Sequence, residues 1–298
     1  MERDRAATTF VTGATGFIGR ELVKVLTAGG HQVVALSSTM QDARRTRRAG
    51  AAPVLGDLLE PGGWQDEAAA DWVFHLPDSP APTRMLTDAH LLDAVATGAT
   101  RRIVYVADAS WYGATGARPI TEDDVPDPCG PARRFLPALN RLGGYIVAGL
   151  PIVTALPGCV YGSGSCFNKR IVEPIVAGRR VVQFGAAGPW VSPIHVHDCA
   201  RALVHLAEYG EPGSRYFLVN DDPIQLHEFA ETFARLANRS LRLWRLPAAA
   251  RPVIGSVLRQ PAQTDAVFSN IRLRGLGFRF RYPTLEQGLA QVLGALDE

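Results

Sequence analysis

The run Thr12-Gly13-Ala14-Thr15-Gly16-Phe17-Ile18-Gly19 spaces three glycines as G-x-x-G-x-x-G, after an apolar β-branched run and before a helical pattern. Gly13 permits a tight turn. Gly16 lets backbone approach a pyrophosphate at a helix N-terminus, and Gly19 lets helix and strand pack closely. With Thr15, Phe17 and Ile18 filling the loop, the chemistry implied is dinucleotide binding. The next apolar run ends at Ser37 and Ser38, where a site for an unphosphorylated ribose would carry an acid. Arg44, Arg45, Arg47 and Arg48 follow. Neutral hydroxyls and guanidinium groups suit a 2′-phosphate through charge-assisted bonds. The expected cofactor is therefore NADPH (NADP+), with Arg44 as a ligand and at least two of the four arginines on a solvated face. Asp57, in Gly56-Asp57-Leu58, is placed either to reach an adenine amine or to cap its own turn.

These residues need a scaffold. Short β-branched runs at Thr8–Thr12, Gln32–Leu36, Ala52–Gly56, Trp72–Leu76, Arg102–Val106 and Ile152–Pro157 read as strands, with helical patterns such as Gly16–Ala28 and Arg84–Thr97 between them. Strands alternating with helices imply a parallel sheet covered on both faces, a Rossmann-like doubly wound α/β fold. After Pro157 the rhythm breaks. Helices are expected over 167–177, at Asp198–Glu208 with Asp198 as N-cap, at Leu226–Ala237 and at Leu285–Leu296, with a strand at Tyr216–Val219. The expected organisation is a dinucleotide-binding domain over 1–160, its sheet completed from about 194–220, and a smaller, discontinuous substrate-binding lobe over 161–298.

The chain of 298 residues is 47% apolar and 20% charged with a net charge of +2, a globular balance that offers no footprint for nucleic acid. Cys129, Cys159, Cys166 and Cys199 have no C-x-x-C spacing, so neither a metal site nor a disulfide framework is expected, and Cys159 reads as core filler. The charged N-terminus and the absence of any long apolar run point to a cytoplasmic protein without a membrane partner.

TGATGFIG, GDL at 56–58, HLP at 75–77, WYG at 111–113, PGCVYG at 157–162 and IHVHDCARAL at 194–203 occur in that order. As an ordered set they resemble the extended short-chain dehydrogenase/reductase family, the epimerase/dehydratase-like group. That resemblance implies a seven-stranded Rossmann sheet with the cofactor across its strand ends. It would be held by the glycine loop, Ser37, Ser38, Arg44, Asp57, Leu58, Leu76, Pro77 and Val106, with Pro157, Gly158 and Val160 approaching the nicotinamide. It also implies a catalytic Ser/Thr, Tyr and Lys, and here the chain departs. Asp108 stands at the Ser position, Ala132 at the Tyr position and Leu136 at the Lys position. None of the seven tyrosines is followed four residues on by Lys. Tyr145 lies on the right helix, but its neighbours suggest simple burial. A second departure replaces the Arg that binds diphosphate in nucleotide-sugar enzymes with Trp190, Val191, Ser192 and Pro193. An uncharged, flatter substrate is expected, near Asp108, Ser110, Tyr112, Tyr161 and Trp190, with Trp190 either on its face or packed in the lobe.

Ketone reduction needs a proton as well as a hydride, and a positioned general acid contributes about 10² to 10⁴ in rate. Asp108 could give that proton only if burial kept it protonated. A phenol ortho or peri to the ketone could supply it instead, leaving a stabilised phenolate. Aromatic polyketides and hydroxyquinones have that arrangement, and triad-less reductases of this kind resemble the ketoreductases of angucyclinone antibiotic pathways. The competing class is a non-catalytic NADP-binding sensor or scaffold. Both departures disfavour a sugar epimerase or dehydratase.

Overall fold

The structure is a computed structural model and describes residues 6–77, 81–96, 98, 100–128, 130–185, 188–247 and 265–296. Cys129, the loop at 186–187 and the Arg- and Pro-rich tract from 248 to 264 lie outside the described residues. Two compact units are present. One comprises the chain up to Trp111, Gly130–Leu156 and Cys199–Tyr216; the other comprises 112–128, 157–198 and the chain from Phe217 onward. The second unit thus draws in 112–128, from within the half that the sequence assigns to the dinucleotide.

The first unit is built on a seven-stranded sheet in the order Arg215–Leu218, Ile152–Pro157, Arg102–Val106, Trp72–His75, Thr8–Thr12, Gln32–Ser37, Ala52–Leu55. Thr8–Thr12 pairs in parallel with both Gln32–Ser37 and Trp72–His75. Chain order reverses there, so the glycine loop at the end of the first strand sits at the switch point where such sheets bind ligands. Trp72–His75 and Ile152–Pro157 are buried at every position, as strands sandwiched between helix layers must be. Helix Phe17–Ala28 buries Gly19, Leu22, Val23 and Leu26, a single stripe at helical spacing. Helix Met40–Arg48 opens at Thr39, whose hydroxyl accepts from the Asp42 N–H at 3.1 Å, and buries only Ala43 and Thr46.

The second unit has its own core, in which Tyr161, Phe167, Phe229, Phe233 and Leu289 are enclosed. Four two-stranded pairs frame it: Cys159–Tyr161 with Pro193–His195, Trp190–Val191 with Ile224–Gln225, Leu243–Leu246 with Val181–Phe184, and Gly116–Ile120 with Ala266–Phe268. The 167–177 segment is helical as expected, with α residues at 166–167, a π turn at Asn168–Val172 and a short α-helix at Glu173–Val176. Pro174, with no N–H to give, prevents a continuous α ladder. Asp198 is not an N-cap, because its helix begins earlier and runs Val196–Tyr209. Its two carboxylate oxygens accept the backbone N–H groups of Arg281 and Tyr282, each at 2.8 Å. Among the described residues no helix is long and apolar enough to cross a membrane. Cys159, Cys166 and Cys199 are free thiols.

Candidate functional site

Gly13 has a left-handed backbone (φ +69°), and a Cβ there would collide with the Leu76 carbonyl. A Cβ on Gly19 would strike the Gly13 carbonyl, so strand, turn and helix close on one another with no room for a side chain. The Gly16 N–H donates to the Gly13 carbonyl at 3.0 Å. Gly16 caps helix Phe17–Ala28 without any side-chain hydrogen bond. The first-turn N–H groups therefore have no side-chain cap, at a backbone that a phosphate can approach. These residues fit a dinucleotide.

At the end of the second strand, Ser37 is only 2% exposed and its hydroxyl lies 3.3 Å from that of Thr46. Ser37, the last residue of its strand, is thus engaged with the helix that follows, and of the two serines only Ser38 faces outward. Arg44, Arg45, Arg47 and Arg48 are all exposed, and Arg45 pairs with Asp42 at 3.5 Å. Asp57 caps its own turn, accepting the Leu59 N–H at 2.9 Å. The Leu58 carbonyl is bonded to the His90 ring at 2.8 Å. Leu76 and Pro77 are half-buried beside the glycine loop, and Val106 is buried at its strand end.

Asp108 is half-buried, and its Oδ1 accepts the Ser110 N–H at 2.8 Å, capping the 3-10 turn Ala109–Tyr112. The Tyr and Lys positions hold Ala132, half-exposed, and Leu136, 37% exposed. Tyr145 is not simply buried: it is half-exposed and donates to Asp93 Oδ1 at 2.6 Å.

In the second unit, a Cβ on Gly158 would run into the Ser192 carbonyl, which explains the glycine of PGCV. Pro157 is buried, while Val160 is half-buried in the strand Cys159–Tyr161. Tyr161 is 1% exposed, with edge-on ring contacts to His195 and Phe229 at 5.4 Å each. Its hydroxyl is enclosed without a partner against Gly288, and burial pushes its pKa up. Tyr161 thus packs in the core of the second unit. Tyr112, 4% exposed, packs edge-on to Phe217 at 4.9 Å, and Ser110 is 8% exposed. Ser192 accepts the Phe268 N–H at 2.9 Å, a structural role. Trp190 remains half-exposed, its N–H donating to Asp265 at 2.8 Å.

Sequence reasoning missed a buried polar chain under the glycine loop. Thr12 Oγ1 lies 2.7 Å from His75 Nδ1, and His75 Nε2 lies 2.8 Å from Asp88 Oδ1. Tyr105 donates to Asp88 Oδ2 at 2.6 Å. All four side chains are at most 4% exposed, so the hydroxyl–imidazole–carboxylate series is no accessible nucleophile. Arg84, one turn before Asp88, is 6% exposed. The available signal was an Arg84/Asp88 pair at helical spacing.

Residues 9–218 match the model of the NAD dependent epimerase/dehydratase family. The chain belongs to that family. Among curated relatives, a 4-hydroxy-2-methyl-3-oxo-4-farnesyl-3,4-dihydroquinoline-1-oxide ketoreductase of Stigmatella aurantiaca is 28% identical over 74% of this chain and 70% of its own. A 3-diazoavenalumate denitrifying reductase of a Streptomyces species is 29% identical over 94% and 98%. Among solved structures, a dTDP-glucose 4,6-dehydratase of Bacillus anthracis in complex with NAD superposes with a TM-score of 0.82 over 98% of this chain and 97% of that one, at 17% identity. At such identity the likeness is one of fold, and it matches the seven-stranded α/β architecture found here.

Proposed function

We propose that the protein is an NADPH-dependent ketoreductase acting on an aromatic polyketide ketone, an angucyclinone or hydroxyquinone of the kind found in simocyclinone biosynthesis. In this reading the substrate's own phenol supplies the proton. One observation carries it: the first unit keeps a complete glycine loop, while Asp108, Ala132 and Leu136 fill the three triad positions. The two reductase relatives support reduction over sugar chemistry, and one of them is named for an oxo group beside a hydroxyl-bearing carbon.

The reduced nicotinamide, when bound, supplies hydride. The chain orients the ketone, and orientation alone lowers a barrier by several kcal/mol, up to about 7–11 in favourable cases. With hydride delivered to the carbonyl carbon, the carbonyl oxygen would take the proton of the adjacent phenol, which would stay in the product as a phenolate and be reprotonated from water. Asp108, already accepting the Ser110 N–H, serves as a turn cap and donates nothing in this scheme. The exposed Ser38 and Arg44 support preference for the 2′-phosphate. Incubation with NADPH and a panel of peri-hydroxy ketones tests the reading: cofactor oxidation with alcohol formation supports it. Firm NADPH binding without reduction of any member would favour a sensor or scaffold.

A further inference from the structure

Two stretches of the second unit contain no Asp or Glu: 174–197 and 232–264. Strand pairing brings their described parts together. Strand Val181–Phe184 runs parallel to Leu243–Leu246, with Val182 opposite Trp244. Arg179 and Arg180 lead into the first strand and Arg242 into the second, and there the Val181 N–H donates to the Arg242 carbonyl at 2.8 Å. Arg239 follows the left-handed turn at Asn238 (φ +50°), three residues before Arg242, and Arg245 lies within the second strand. All five arginines are exposed, and among the described residues none of them is in an ion pair. Arg235, by contrast, reaches Glu286 at 3.3 Å. Arginines on a merely solvated face are ordinarily interleaved with acids, and these are not.

Apolar side chains sit among these cations. Leu243 packs against the core of the unit, so strand alternation turns Trp244 to the other side, where it is 50% exposed. The same alternation puts Arg242 on the side of Trp244. Val176, three residues before Arg179, is 40% exposed. An exposed indole ringed by unpaired guanidinium groups suits a surface that is anionic at its boundary and apolar just beneath. We propose that this arginine–tryptophan face docks the protein on a bilayer containing anionic phospholipid. The indole seats at headgroup level, and the guanidinium groups pair with phosphates. A chain needs no membrane-spanning helix to bind a bilayer in this way. Single-stranded nucleic acid also offers phosphates, but it is gripped through successive stacked aromatics, and the two paired strands expose one aromatic ring, Trp244. The face uses none of the residues assigned above to cofactor or ketone, so it stands or falls apart from the reductase reading.

The full-length protein and two sets of vesicles provide the test, one of phosphatidylcholine alone and one of equal parts phosphatidylcholine and phosphatidylglycerol. Sedimentation with the vesicles measures the bound fraction. The unaltered protein should bind the anionic set, release as salt is raised, and leave the neutral set unbound. Its tryptophan emission should shift to the blue on binding. Arg180→Gln together with Arg242→Gln should weaken partition by about twenty- to thirtyfold, about fivefold for each arginine. Lys24→Gln together with Arg101→Gln removes the same charge from exposed positions of the first unit and should change partition by less than about twofold. Trp244→Phe should still bind but show no emission shift. Circular dichroism and melting curves check that each variant folds. Should the arginine pair fail that check, Arg245→Gln alone, with an expected loss of about fivefold, takes its place. No binding to the anionic vesicles, equal binding to the neutral ones, equal losses in the two double variants, or an emission shift that persists in Trp244→Phe overturns the proposal. Binding of an oligothymidylate by a protein that ignores both vesicles also overturns it and assigns the face to nucleic acid.

Discussion

The Asp108 carboxylate accepts the backbone N–H of Ser110 at 2.8 Å, which makes the residue at the family's Ser position the cap of a turn. A carboxylate used in this way aligns the turn Ala109–Tyr112. Asp108→Ala should therefore keep turnover within about tenfold of the original while lowering stability by about 1 kcal/mol, as loss of a cap does. Collapse of turnover to background in a folded variant would make Asp108 the acid.

Arg44→Ala should weaken NADPH by about ten- to a hundredfold, the scale of a charge-assisted hydrogen bond, and leave NADH nearly unchanged. Calorimetry with both cofactors checks this. Equal losses for the two would assign Arg44 to the solvated face of its helix, and a preference for NADH in the unaltered protein would remove the 2′-phosphate reading.

Tyr161→Phe deletes a hydroxyl that has no partner and sits against Gly288. Turnover should be unchanged, and the melting temperature should stay level or rise, because an unsatisfied buried polar group is lost. A large fall in kcat with the fold intact would restore Tyr161 to the reaction.

Glu122, 6% exposed, accepts the Phe217 N–H at 2.9 Å, and burial raises its pKa above the ordinary glutamate value. The folded form then binds the proton more tightly than the unfolded one, so this group's contribution to stability declines as pH rises from that ordinary value through the raised one. Glu122→Gln keeps an acceptor for Phe217 and removes the titration. It should melt higher than the parent at neutral pH, and the gap should close in acid. A gap independent of pH would contradict the assignment.

Much of the first unit was legible because its strands are continuous apolar runs and its glycines are fixed by steric contact: Gly13 against Leu76 and Gly19 against Gly13. Boundaries there moved by one to three residues. The second unit was less legible because its strands pair two at a time, and Asp198 acts through long-range bonds to Arg281 and Tyr282 that local patterns do not record. Ser37 and Tyr161 were named for their chemistry, yet both are turned into packed interiors, a matter of side-chain direction that spacing alone leaves open. The Thr12–His75–Asp88 chain was missed for the opposite reason. Its members lie 63 and 13 residues apart and meet only when adjacent strands and a covering helix assemble.

The central claim is that the substrate supplies the proton, and one comparison tests it most directly. Single-turnover reduction by NADPH would be measured for a peri-hydroxy ketone that the protein accepts and for the methyl ether of that same phenol. Methylation removes the donor and barely alters ring shape, so binding should persist while the rate of reduction falls by about 10² to 10⁴, the contribution of a general acid. Undiminished reduction of the methyl ether would contradict the account and return the proton to a side chain of the protein.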